Sequence, residues 1–137
     1  LRALAEMENV RKRAQRDVES AHRFAVERFA ADMIEVRDTL ELGLAAAGAA
    51  PEAAKFVEGS QATLRMVDKA FEKAGIAVVD PIGRSFNPEM HEAIMAQPTA
   101  DHPVGSVLTV VQKGFTLNGR LLRPARVVIA RSADPAN

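Results

Sequence analysis

The chain reads KGFTLNGRLLRPARVVIA over residues 113–130. Asn118-Gly119 within it is the strongest short-range signal for a two-residue β-hairpin turn, because both residues tolerate the positive φ that such a turn imposes. VLTVVQ (residues 107–112) precedes it and ARVVIA (residues 125–130) ends it, both rich in the β-branched residues that suit a pleated strand. Pro124 has no ladder N–H to give, which places it at a sheet edge or a bulge. The stretch therefore predicts a β unit at the end of a chain whose earlier residues have helical character.

Working back from the hairpin, two more strands are expected. IAVVD (76–80) forms a short strand, PIGRSFNP (81–88) is turn-rich, and HEAIMAQP (91–98) is a further strand. The loop TADHPVG (99–105) leads into residues 106–112. Strands spaced by turns in this way predict a compact antiparallel β domain over residues 76–137.

Residues 1–75 read as helix. No proline precedes Pro51 and the first glycine is Gly43, so residues 1–44 predict one uninterrupted helix, a rod of roughly 60 Å at 1.5 Å per residue. Its apolar seam is Ala14, Val18, Ala21, Ala25, Phe29, Met33, Val36 and Leu40. The mean step is about 3.7 residues, nearer an eleven-residue repeat than a heptad, which predicts nearly straight or weakly right-handed pairing. Charged residues occupy the other faces, so the rod needs a partner, and a second copy is the simplest. Beyond Phe24 the apolar face widens, as a bundle requires. AAAGAAP (45–51) is the connection, with Gly48 ending one helix and Pro51 starting the next. A second helix follows over residues 51–74, with Phe56, Leu64, Val67 and Phe71 on its core face and Gly75 at its end. Gly59 inside that helix costs about 1 kcal/mol relative to alanine; it reads either as a tolerated surface residue or as a place where another backbone approaches too closely for a Cβ. Two copies of the helix pair make a four-helix bundle.

Composition removes several classes of function. Lys plus Arg equals Asp plus Glu, at 18 each, so no global field draws the chain to nucleic acid or to an acidic membrane. Without cysteine there are no disulfides, thiolate catalysis or cysteine-bound metals, which fits a reducing compartment. No apolar run approaches membrane-spanning length and no signal peptide is present; a first residue of Leu rather than Met suggests a trimmed fragment. His91-Glu92 lacks the second histidine of a zinc-protease helix, since Met95 stands four residues on. There is no phosphate loop, and no serine lies in a nucleophile motif. The expectation is therefore a non-enzyme with no catalytic, metal or cofactor residues. RKRAQR (11–16) lacks interleaved aromatics and a docking motif, so it is weak as a nucleic-acid site and reads first as a solvated face or a surface for an acidic protein partner.

AEMENVRKRAQRDVESAHRFAVERF (5–29), VEG (57–59), FNPEMHEAI (86–94) and VVQKGFTLNGRLLRPARVVIA (110–130) together resemble the GrpE family, the nucleotide exchange factors of DnaK-type heat-shock chaperones. The resemblance covers nearly the whole chain. It implies an α+β homodimer with long paired helices, a four-helix bundle and a β wing on each protomer. It further implies a co-chaperone of the bacterial cytoplasm, with the mitochondrial matrix as the less favoured alternative, whose wing holds open the nucleotide cleft of the chaperone's ATPase domain and speeds ADP release. Matching positions imply wing contacts at Phe86, Pro88, Val111, Arg120 and Ile129, and a helix contact at Arg11. Gly59, Asn118 and Gly119 are implied as supporting residues. Ser20 and Ala45 stand where some relatives carry a contacting lysine and glutamate, so the helix side of that interface is expected to be weaker or rearranged. The alanine-rich stalk predicts early melting, and the family implies a thermosensor role for it. The competing readings are a structural coiled-coil adaptor that binds without changing nucleotide release, and a nucleic-acid binder using RKRAQR that would show steep salt dependence.

Overall fold

The computed structural model describes residues 1–134. The expected single helix over residues 1–44 is instead two helices, α1 (Arg2–Phe24) and α2 (Glu27–Ala47), separated at Ala25 and Val26. Val26 leaves helical geometry, with φ −95° and ψ 10°. Neither proline nor glycine lies near this break, so local sequence does not account for it. α1 buries none of its residues within the chain. α2 ends at Gly48, whose φ of 59° suits a residue without a Cβ. Pro51 then opens a single 3-10 turn, Pro51–Ala53, that runs into α3 (Ala54–Lys73).

Among the described residues six strands follow: β1 (Ile76–Val79), β2 (His91–Thr99), β3 (Val107–Gln112), β4 (Gly114–Leu117), β5 (Arg120–Arg123) and β6 (Ala125–Ser132). They form two three-stranded sheets, ordered β1-β4-β5 and β2-β6-β3. The Asn-Gly turn joins β4 to β5, not β3 to β6 directly. The two arms are one long hairpin that passes from the second sheet to the first, bending at Lys113-Gly114 on one arm and Pro124 on the other. Gly114 is required at the bend: a Cβ there would stand 2.5 Å from the backbone nitrogen of Ala125 and 2.8 Å from the Arg123 carbonyl oxygen. Pro124 interrupts the return arm where no ladder N–H is needed.

The wholly antiparallel β domain expected from the sequence is corrected by the β2–β6 pair, which is parallel, from His91 against Ala125 to Thr99 against Ser132. The reason is topological. β3 and β6 are arms of one hairpin and run antiparallel. β2 is reversed relative to β3 by the intervening loop, and it lies on the far side of β6. It must then run with β6. β6 takes the centre because it is apolar toward both layers, with Ala125, Val127 and Ala130 buried.

Two cores result. Ala30 and Ile34 from α2, Phe71 from α3, Ile76 from β1, and Phe115 and Leu117 from β4 pack together, with the Phe71 and Phe115 rings edge-to-face at 6.0 Å. Each of these side chains larger than alanine contributes about 1.5–3 kcal/mol on burial. The second core joins Val107, Ala125 and Val127, with Val79, Phe86, Val110 and Ile129 against it. The first sheet thus shares its core with the helices, whereas the second has its own.

Most of the seam is not covered by the described residues of the chain. Ala14, Val18 and Ala21 are exposed, Ala25 falls in the break, Phe29 and Val36 are 67% and 55% exposed, and Met33 and Leu40 are partly covered. Phe56, expected on the core face of α3, is also exposed, at 73%; Leu64 and Val67 are half-buried and Phe71 is buried. At Gly59 a Cβ would meet nothing within 4 Å, so a close intrachain approach does not explain that glycine.

Candidate partner-binding hairpin

The turn that closes the hairpin has φ 47° at Asn118 and φ 86° at Gly119, the pair of left-handed residues a tight β-hairpin turn requires. It sits against the helices. The Asn118 backbone N–H donates to the Gly75 carbonyl at 2.8 Å, and its side-chain Nδ2 donates to the Arg23 carbonyl at 2.8 Å. In return the Arg23 guanidinium donates to the Asn118 carbonyl at 3.1 Å. Next to the turn, the Arg120 guanidinium carbon lies 3.8 Å above the centre of the Phe24 ring, and its Nη1 is 3.3 Å from Glu27 Oε2.

A line of ion pairs continues along the hairpin. Arg123 pairs with Asp38 at 2.6 Å and donates from Nε to the Lys113 carbonyl at 2.9 Å. Lys113 Nζ pairs with Glu41 at 2.7 Å. Arg37, only 5% exposed, pairs with Asp68 at 2.5 Å and Glu41 at 2.6 Å, and its guanidinium stands over Phe115 at 5.5 Å. Burial alone would lower the Arg37 pKa, but the hydrogen bonds to Asp68 and Glu41 outweigh it and the guanidinium is held more firmly protonated than usual. Burial alone would likewise raise Glu41, yet Lys113 and Arg37 hold its carboxyl below the usual range. Among the described residues Arg37 is the buried charge of this line, and removing one of its carboxylate partners leaves it less well compensated.

The second sheet carries the other sequence-predicted contacts. Phe86 is half-buried against the second core, 5.8 Å from the His91 ring, and Pro88 beside it is exposed. Their loop is pinned to β3 by Phe86 N–H to the Gly105 carbonyl at 2.8 Å and Gly83 N–H to the Val107 carbonyl at 2.9 Å. The Asn87 backbone N–H donates to His91 Nδ1 at 2.9 Å, and burial lowers the His91 pKa, favouring the neutral ring that can accept. Val111 on β3 is exposed, and Ile129 on β6 is half-buried. The hairpin and its neighbours thus join Phe86 and Ile129 around one core and carry Val111 on the same sheet. Arg120 lies at the far end, against the helix break. Arg11 is on the exposed stalk, paired with Glu8 at 2.6 Å. Ser20 and Ala45 are exposed.

Sequence reasoning missed Arg23, Phe24 and Glu27 as partners of the turn, and the Arg37–Asp68 and Arg123–Asp38 pairs. These link residues 31 to 95 positions apart, and no periodic signal marks such a pairing. Among the described residues no group of His, Asp and Glu could hold a metal ion, and no helix is long and apolar enough to cross a membrane.

An α+β scaffold of exposed helices that carries a braced β hairpin has the parts of a protein-binding effector. Residues 1–131 match the GrpE family model. The chain is 50% identical over 133 residues to the protein GrpE of Methylococcus capsulatus, covering 96% of this chain and 72% of that protein. It is 48% identical over 134 residues to the protein GrpE of Thioalkalivibrio sulfidiphilus, covering 98% and 72%. The protein GrpE of Pseudomonas putida strain F1 is 47% identical over 137 residues, covering 99% and 74%. The chain belongs to the GrpE family, and with it to the nucleotide exchange co-chaperones of DnaK-type chaperones.

Proposed function

We propose that the chain acts as a homodimer in the bacterial cytoplasm, pressing its β unit on the ATPase domain of a DnaK-type chaperone so that the nucleotide cleft stays open and ADP leaves. The observation that carries this reading is the bracing of the hairpin: Arg123–Asp38, Lys113–Glu41 and the Asn118 bonds tie it to the helices at 2.6 to 2.8 Å. A braced arm transmits force to a flexible partner instead of yielding to it. No catalytic group is needed, only tighter binding to the open chaperone than to the closed one. Linkage makes ADP and the factor weaken each other's binding by the same ratio. A hundredfold change corresponds to about 3 kcal/mol of differential binding.

Phe86, Pro88, Val111, Arg120 and Ile129 form the wing side of the contact in this reading, and Arg11 the stalk side. Residues 1–75 supply dimerisation and residues 76–137 the wing. Dimerisation is supported by the uncovered apolar faces of Phe29, Val36 and Phe56, which one chain leaves in water. The stalk serves as a thermosensor, its melting damping exchange on heating; α1, with no buried residue of its own, has the least holding it folded. Arg120→Ala tests the contact. Its ion pair with Glu27 is roughly half exposed and contributes at most about 1 kcal/mol, so the dimer stays folded while binding to the chaperone weakens. Unchanged stimulation of ADP release by Arg120→Ala contradicts the assignment of that residue.

A further inference from the structure

The break at Ala25–Val26 has no local cause. SAHRFAVERFA, residues 20–30, contains neither proline nor glycine, and the first turn of α2 has no side-chain cap. Four contacts from the hairpin converge on the residues flanking that break: Asn118 Nδ2 on the Arg23 carbonyl, Arg23 on the Asn118 carbonyl, and Arg120 on both Phe24 and Glu27. The carbonyl that Asn118 takes belongs to the last turn of α1, where carbonyls lose their intrahelical partners. Asn118 also holds the Gly75 carbonyl through its own N–H. Its side chain fills the place where a Cβ on Gly75 would stand, meeting Asn118 Oδ1. The turn is thus seated between the end of α1 and the end of α3.

We infer that Asn118 is a positioning residue that imposes the helix break, so that the hairpin turn and the stalk form one joint. Without the Asn118 amide, residues 25–29 are free to close their helical hydrogen bonds and α1 runs on into α2. The joint has a consequence in both directions. A stalk that straightens or frays withdraws the Arg23 carbonyl and loosens the hairpin. A partner that takes Arg120 removes two of the four contacts at the break and lets the stalk straighten. Coupling of this kind is reciprocal. The joint itself does not depend on the proposed function; its effect on nucleotide exchange rests on that reading.

Amide hydrogen exchange on the full chain, resolved by residue, tests the joint in Asn118→Gly and Asn118→Asp. Both replacements tolerate the φ of 47°, and neither can donate from the side chain. The expected result is exchange slowed about tenfold or more at the amides of residues 25–29, with β4 and β5 still protected. A residue with a merely structural role would produce faster exchange there. Unchanged or faster exchange at residues 25–29 in both variants overturns the inference. ADP release from a DnaK-type chaperone is followed in parallel. A several-fold loss of stimulation in variants whose break has closed supports the coupling, and undiminished stimulation overturns it. If the natural chain gives no stimulation, the proposed function fails and the exchange data alone decide the joint.

Discussion

Gly114 shows how much one position carries. It lies where the hairpin leaves one sheet for the other, and the opposing backbone at Ala125 and Arg123 occupies the space a methyl group needs. Gly114→Ala is expected to cost about 1–3 kcal/mol as the two arms are forced apart, read as a lowered midpoint in chemical denaturation; an unchanged midpoint means the arms separate freely. His91 makes a second residue-scale case. Its Nδ1 accepts the Asn87 N–H, which a protonated ring cannot do. Because its folded pKa is lowered, its contribution is fully present above the unfolded value of about 6.5 and is lost as the pH falls through the folded value. Amide exchange at Asn87 should therefore quicken at about pH 5 relative to pH 7.5, beyond the intrinsic pH effect. Equal protection at the two pH values contradicts this.

Among the elements, those with local causes were legible in the sequence and those with tertiary causes were not. The Asn118-Gly119 turn, the ends of the helices at Gly48 and Gly75, and the start at Pro51 follow from residues whose φ preferences act within a few positions. All five stand where expected. The break at Ala25–Val26 comes from a turn more than 90 residues away, so the helical pattern of residues 1–44 ran through it unmarked. The parallel β2–β6 pair was equally hidden, because strand composition does not say which strand takes the centre of a sheet. The proposed contact residues Phe86, Pro88, Val111, Arg120 and Ile129 were marked by family resemblance. The ion-pair line beneath the hairpin was not, since Asp38, Glu41 and Asp68 look like ordinary solvated helix charges until Arg123, Lys113 and Arg37 are folded against them. Salt pairs of that kind fix where a rigid element sits more than they add to its stability.

At the scale of the whole molecule the chain grades from uncovered to packed. α1 has no fully buried residue, α2 and α3 share one core with the first sheet, and the second sheet closes on its own core. Apolar burial sets the order of melting, so circular dichroism should show an early, concentration-dependent loss of helix before the β unit unfolds. One cooperative transition for the whole chain contradicts the thermosensor reading. The central claim is that this graded molecule opens another protein's nucleotide site by holding a braced hairpin against it. Stopped-flow release of a fluorescent ADP analogue from a DnaK-type chaperone measures that directly. Release is expected to accelerate about a hundredfold or more when the chain is added. A complex that forms while ADP leaves at its unassisted rate would contradict it.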